Sequence, residues 1–305
     1  VVMVRMVAVL LGVGCLAWAA SRGNATETES PAVQSLAMQV RAGQLDEAVA
    51  HGEALVLDAP ADSRAWSWLG RAYGRQAQRA SFLRRAGWAS KCRDAFEHAL
   101  GLDARRADAH LDMLQFYAMA PALLGGSRSK AHAQAREVAA LDAVAGHVAE
   151  AQVAQFAENN AALAERELQQ ALALAPRDPL ARTVLTQLLA RQLRWKDAFA
   201  VWEPGVAGNP DEPLAHYAYG RIASQSGERL QDGLVQLDLF LAAKDKPDDV
   251  SDAAAHWRKG LILEKLGRPA AALVELQRAT SMHAAPEEAK QDLARVEKLL
   301  RGSAG

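Results

Sequence analysis

The chain reads as an all-α array of helix–turn–helix repeats closed by a capping helix, and three observations lead there. Trp66, Leu69, Gly70 and Tyr73 stand at spacings of three, one and three, with Ala95-Phe96-Glu97-His98-Ala99-Leu100 downstream. Matching positions return after 34 residues: Ala164 and Ala198, Pro176 and Pro210, Thr186 and Gly220. No stretch sustains the alternation of apolar and polar side chains that a half-buried strand needs. A fixed period of this length marks stacked helical hairpins, none of which can bury its apolar face alone.

Taken in order, residues 1–19 stand apart. Arg5 is followed by an almost wholly apolar run from Met6 to Trp18, and Ala17-Trp18-Ala19 has the small-x-small form of a cleavage site. This is the pattern of a secretory signal peptide, with a run too short to span a bilayer comfortably. Retention as an anchor and lipidation at Cys15 are the alternative fates of the segment. Residues 20–31 are polar and acidic and read as a flexible leader. The repeats then occupy residues 32–302. In the first, Gly43 precedes Ala48 and Pro60 closes the unit; Trp66 opens the next, with Trp66, Leu69 and Tyr73 on its apolar face. Pro176 and Pro210 separate later repeats, since proline ends one helix and suits the first turn of another. Gly260, Gly267, Ala272 and Ala279 space the last one, where Gly267-Arg268-Pro269 is a helix stop and restart. The final helix, Pro286 to Arg301, carries Ala289, Leu293, Val296, Leu299 and Leu300 on one face and charges on the other, as a cap should.

The W-x-x-L-G-x-x-Y spacing, the mid-repeat alanine and the closing proline resemble the tetratricopeptide repeat family over Ala32 to Ala285. The resemblance implies a right-handed superhelical solenoid of about seven repeats that acts as a protein-interaction scaffold rather than an enzyme. It also implies that the first helix of each repeat lines a concave groove for an extended partner segment. The pattern is degenerate between Asp108 and Asn160, where Ala143 replaces the closing proline. Three insertions depart from it: residues 76–87 after Tyr73, residues 120–126 after Tyr117, and six residues between Gly220 and Gly260. Ser81, Phe82, Leu83 and Trp88 are expected either to pack beneath the first inserted loop or to mark a partner contact. The carboxylate clamp of chaperone-binding members is not matched, because its places hold Arg64, Ser67, Arg71 and Arg75, then Leu111 and Gln115.

The chain has 35 basic and 36 acidic residues; loss of residues 1–19 removes only Arg5 and leaves a net charge of −2. That balance favours neither nucleic acid nor a membrane surface. Cys92 is then the single cysteine and cannot form an internal disulfide; its place in the repeat calls for a small packing residue. The eight histidines show no His-x-x-x-His pair, and neither a Gly-x-Ser-x-Gly nor a phosphate loop occurs, so no catalytic residue, cofactor or metal is expected. Gly125-Gly126-Ser127 reads as an inter-helix loop.

One local asymmetry stands out. Between Ser63 and Arg93 lie Arg64, Arg71, Arg75, Arg79, Arg84, Arg85, Lys91 and Arg93, with no Asp or Glu among them. Arg64, Trp68, Arg71 and Arg75 share one helix face, and guanidinium groups suit carboxylates and phosphates. The face is either an anion-recognition surface or a solvated one balanced by acids of neighbouring repeats. With Gln115, Gln187, Arg191, Tyr217, Arg221 and Trp257, placed by the same repeat spacing, these are the expected partner-binding residues. The partner is expected to be a protein or peptide segment, acidic if the basic face takes part. A periplasmic or otherwise secreted location follows from residues 1–19. The alternatives are a polyanion binder and a membrane-anchored assembly factor.

Overall fold

The computed structural model describes residues 29–208, 212–247, 250–282 and 285–302. The segment 1–19, Cys15, the leader as far as residue 28, Pro210 and His283 lie outside them. The described residues form sixteen α-helices, one 3₁₀ turn and no strand. They run as pairs: α1 (Pro31–Ala42) with α2 (Leu45–Asp58), α3 (Ser63–Arg79) with α4 (Phe82–Leu102), α5 (Ala107–Met119) with α6 (Arg128–Leu141), and α7 (Ala143–Phe156) with α8 (Ala161–Leu174). Then come α9 (Pro179–Arg191) with the broken helix α10 (Trp195–Ala200) and α11 (Glu203–Gly208), α12 (Pro213–Ser226) with α13 (Leu230–Ala242), and α14 (Asp252–Lys265) with α15 (Pro269–Ser281). α16 (Glu287–Gly302) closes the series, so the seven expected repeats and the cap are present.

Side-chain caps start many of these helices. Asp62 Oδ1 accepts from the backbone N–H of Arg64 (2.9 Å) and Ala65 (3.1 Å), and Asp142 Oδ1 from Val144 (2.8 Å) and Ala145 (3.0 Å). Asn160, Asp178 and Ser251 do the same for later helices. In several pairs the turn between the two helices holds a left-handed residue. Asn159, Leu193 and Gly227 have φ of 53°, 58° and 80° and lie 34 residues apart; Gly43 (80°) and Gly267 (71°) hold the same place in other pairs. α10 and α11 separate where Pro204 lacks the N–H that would have continued the helix.

The chain divides into two compact units, residues 29–40 with 44–184 and residues 185–302 with 41–43. In the first, Val33, Leu36, Trp68, Leu69, Phe96 and Met113 are buried together. Trp68 is the buried tryptophan of α3; Trp66, read with Leu69 and Tyr73 as the apolar face of its repeat, is half-buried. It lies against the His98 ring at 4.2 Å and donates its indole N–H to the Pro60 carbonyl at 2.9 Å. In the second unit Phe199, Trp202, Ile222, Leu237 and Phe240 are fully enclosed. α16 buries Ala289 and Val296 and lays Leu293 and Leu300 against Leu263 and Leu276, while Leu299 falls off that face and is exposed.

One contact recurs within pairs. A Cβ added to Gly70 would meet the Phe96 ring at 2.5 Å, one on Gly220 would meet Leu237 at 2.3 Å, and one on Gly260 would meet Leu276 at 2.7 Å. Glycine here admits a large side chain from the second helix. Gly260 and Leu276 are sixteen residues apart, whereas Gly70 and Phe96 are twenty-six, so the first insertion adds ten residues to a hairpin that otherwise keeps its packing.

Those ten residues are helix, not loop. α3 and α4 have 17 and 21 residues, against 14 and 13 for α14 and α15. The extension projects: residues 83–87 are all exposed, so Leu83 does not pack beneath anything, while Trp88 is half-buried beside Tyr73. The second insertion makes a 3₁₀ turn (Ala122–Leu124) against α4, with Leu124 turned into the core and Leu123 exposed.

Candidate interaction surface

The side chains expected to bind a partner project from first helices of the pairs, and the structure gives them unlike surroundings. Those one position after the packing residue form a series: Arg71 after Gly70, Gln115 after Leu114, Gln187 after Thr186 and Arg221 after Gly220. Gln115, Gln187 and Arg221 are half-buried, and Arg191, one turn beyond Gln187, is exposed. Tyr217 is half-buried with its ring 5.3 Å from that of Phe240, so one edge of it remains accessible.

Arg71 differs from the rest of that series. Its side chain is only 8% exposed, and its Nε lies 2.8 and 2.9 Å from the two oxygens of Asp112 on α5. Nη2 stands 3.8 Å from Asp108, and the guanidinium carbon lies 4.3 Å above the Trp68 ring. Trp68 is itself 2% exposed. Of the two readings of the Arg64, Arg71 and Arg75 face, Arg71 follows balance by an acid of the neighbouring repeat, since Asp112 on α5 pairs with it. Arg75 donates to the Val40 carbonyl, and Arg64 is half-buried at the start of α3.

Asp112 and Asp108 belong to a polar tie between α3, α4 and α5. Arg106 pairs with Asp108 and donates to Ser63 Oγ at 2.8 Å, and Ser63 donates to the Ala99 carbonyl at 3.0 Å. Burial pushes the Asp112 carboxyl up to about 6 against the pull of Arg71. Burial pushes Asp108 the same way, but Arg106 and Arg71 together outweigh it and hold Asp108 below the usual carboxylate range. None of these partners was singled out in the sequence. The available signal was an aspartate set between apolar residues in Leu111-Asp112-Met113-Leu114, which on a helix must find a cation when buried.

Lys91 and Tyr73 are likewise engaged within the chain. The Tyr73 hydroxyl donates to Glu53 Oε1 at 2.7 Å and Lys91 to the same oxygen at 3.0 Å. These two bonds hold Glu53 below the usual carboxylate range, while burial and the Glu53 acceptor push the Tyr73 phenol up. Trp257 docks the cap: its indole N–H donates to Asp292 of α16 at 2.7 Å, and Arg258 lies 4.0 Å above its ring.

The histidines are less scattered than their numbers suggest. His110, His216 and His256 each stand four residues before Leu114, Gly220 and Gly260, and each bonds across its pair: to Gln134 at 2.6 Å, Gln236 at 2.6 Å and Glu275 at 2.6 Å. They are packing polar groups. Among the described residues no group of three or more His, Cys, Asp or Glu side chains could hold a metal ion, and no helix is long and apolar enough to cross a membrane. Cys92 is buried, its sulfur 3.2 Å from where a Cβ on Gly74 would stand, which fits a small packing residue.

No protein-family model matches the chain, and no curated protein matches it. Solved structures do. Yeast Tom70 superposes with a TM-score of 0.57 at 14% identity, over 97% of this chain and 62% of its own. The human IFIT1 dimer with PPP-AAAA gives 0.52 at 14% identity, over 85% and 60%. A tetratricopeptide repeat protein from Parabacteroides merdae gives 0.47 at 15% identity, over 88% and 100%. The chain thus spans about three-fifths of the Tom70 and IFIT1 chains. With its paired helices, its recurrent glycine-to-large-side-chain contacts and its 34-residue left-handed turns, the chain has the fold of the tetratricopeptide repeat proteins.

Proposed function

We propose that this chain is a non-enzymatic interaction scaffold that holds a protein or peptide segment against the first helices of its repeats. The observation that carries this reading is the series following the packing residues. Gln115, Gln187 and Arg221 stay half-buried rather than enclosed, and Arg191 and Tyr217 stand on the same helices. Such amide, guanidinium and aromatic groups can pair with an extended backbone and its side chains. The segment 1–19 supports a place in the cell envelope, periplasmic if the segment is cleaved and membrane-anchored if it is retained or lipidated at Cys15.

Affinity tests the reading. With the full chain as bait, an envelope fraction is crosslinked and the captured partner identified, then titrated against wild type and a Tyr217→Ala, Arg221→Ala double variant. The expected result is a loss of about tenfold or more, equivalent to ~1.4 kcal/mol, with an unchanged helical spectrum. Equal affinity would contradict it.

The alternative of a polyanion binder along Arg64–Arg93 is narrowed by the pairing of Arg71 with Asp112, Lys91 with Glu53 and Arg93 with Asp94. Near the turn between α3 and α4, Arg79, Arg84 and Arg85 are exposed.

A further inference from the structure

The extended hairpin of α3 and α4 has features that the scaffold reading does not use. Over residues 83–87 the side chains of α4 are exposed: Leu83 is 88% exposed, Arg84, Arg85 and Ala86 are exposed, and a Cβ on Gly87 would meet no atom within 4 Å. Arg79 on α3 is exposed beside them, and Arg85 spans the turn to donate to the Ala80 carbonyl at 3.3 Å. So exposed a helix end gains little from tertiary burial, which is what usually sustains a helix in a protein. Its composition is cationic and apolar together. Arg84 and Arg85 directly follow Leu83, Arg79 precedes it by four residues, and no acidic residue occurs from Ser63 to Arg93.

We propose that this hairpin tip docks on an anionic phospholipid surface. The occupant follows from shape and chemistry. The tip is a projecting end, suited to a flat partner rather than to a peptide that needs a groove. Guanidinium groups pair with lipid phosphates, and a leucine beside them can enter the boundary between headgroups and acyl chains. Leu83, Ala86 and Gly87 lie on one side of the helix with Arg84 at its edge, so the apolar side can face the bilayer while Arg84 reaches the headgroups. The contact is independent of the groove, and a partner held there would be presented beside the membrane.

Vesicle sedimentation of the full chain tests this. Partitioning is measured onto phosphatidylcholine vesicles with and without one-third phosphatidylglycerol, at constant salt. Any binding by the apolar segment 1–19 is common to all variants, so the differences among variants report on the tip. An arginine near an anionic surface contributes about fivefold, equivalent to ~1 kcal/mol. Wild type should therefore prefer the anionic vesicles by at least tenfold, and Arg84→Glu with Arg85→Glu should abolish the preference. Leu83→Ser should weaken binding to the same vesicles several-fold. All variants should keep the wild-type melting temperature, because the altered side chains are exposed. Equal partitioning of wild type onto both vesicles, or a preference that survives the double charge reversal, would overturn the proposal. So would Leu83→Ser binding anionic vesicles like wild type while the charge reversal removes binding to a short DNA duplex, since the tip would then serve a different polyanion.

Discussion

Trp202 donates its indole N–H to Thr186 Oγ1 at 2.7 Å, in a place where water has no access to either group. The two residues are sixteen apart, like Gly260 and Leu276, and occupy the same station in their pair. The fifth repeat therefore closes with a hydrogen bond where the sixth and seventh close with a glycine under a leucine. Trp202 lies in the two-residue interruption between α10 and α11.

Thr186→Val should remove that bond and keep the volume. A buried indole N–H left without an acceptor costs about 1–3 kcal/mol. Urea unfolding should show a lower midpoint with an unchanged slope, and an unaltered midpoint would mean that the bond carries no stability.

Gly70 faces the Phe96 ring, and even one methyl group would stand 2.5 Å from it. Gly70→Leu should overpack the pair and cost about 1–3 kcal/mol. Gly70→Ala should be less severe and should be partly rescued by Phe96→Leu. Thermal melting of the two single variants and the double variant would give the coupling, and strict additivity would place the two residues out of contact.

Arg71 and Asp112 form a buried pair, so Arg71→Ala strands a carboxylate and should destabilise the fold by about 3–5 kcal/mol. The pH dependence has a definite sign. Folding raises the Asp112 carboxyl from an ordinary 3.8 to about 6, so the folded state binds the extra proton between those values. The Asp112 contribution thus makes the protein less stable as pH rises from about 4 through 6, and Asp112→Asn should remove that slope. Asp108 and Glu53, both lowered on folding, act oppositely, and their stabilisation is lost as pH falls below the usual carboxylate range. Denaturant titrations of wild type and Asp112→Asn at pH 5 and pH 7 check this; parallel behaviour would contradict it.

Leu193 holds φ of 58° at the turn where Gly227 and Gly267 stand in later repeats, and its side chain is 71% exposed. A branched side chain in that conformation is strained by roughly 1–2 kcal/mol. Leu193→Gly should relieve the strain with little packing lost and raise the melting temperature by a few degrees, after the entropy cost of glycine in the unfolded chain. A lower melting temperature would show that Leu193 makes a contact worth more than its strain.

These cases show how much of the molecule its sequence made legible. The repeat count, the cap and the glycine-under-large-residue packing followed from period and residue size, because close helix approach leaves few residue types usable. The second helix of the fifth repeat was harder, since Thr186 and Trp202 keep the packing geometry while changing its chemistry. The candidate surface was legible only as helix faces. The side chains at Arg71 and Trp257 belong to those faces, but their fate was decided by Asp112 and Asp292, 41 and 35 residues away. Such pairing depends on the stacking of neighbouring helices, which a spacing rule along one helix does not contain. The insertion at 76–87 was visible as extra length, yet its helical form depended on both helices continuing past their packing contacts.

The scaffold reading stands or falls on which face meets the partner. A photocrosslinking amino acid placed singly at Gln115, Gln187 and Tyr217, on the first helices, and at Leu57, Leu174 and Lys196, exposed on the second helices, reports that face in cells. The partner should crosslink from Gln115, Gln187 and Tyr217 and not from the second-helix positions. Crosslinking confined to Leu57, Leu174 and Lys196 would place the partner on the opposite helices and contradict the proposed function.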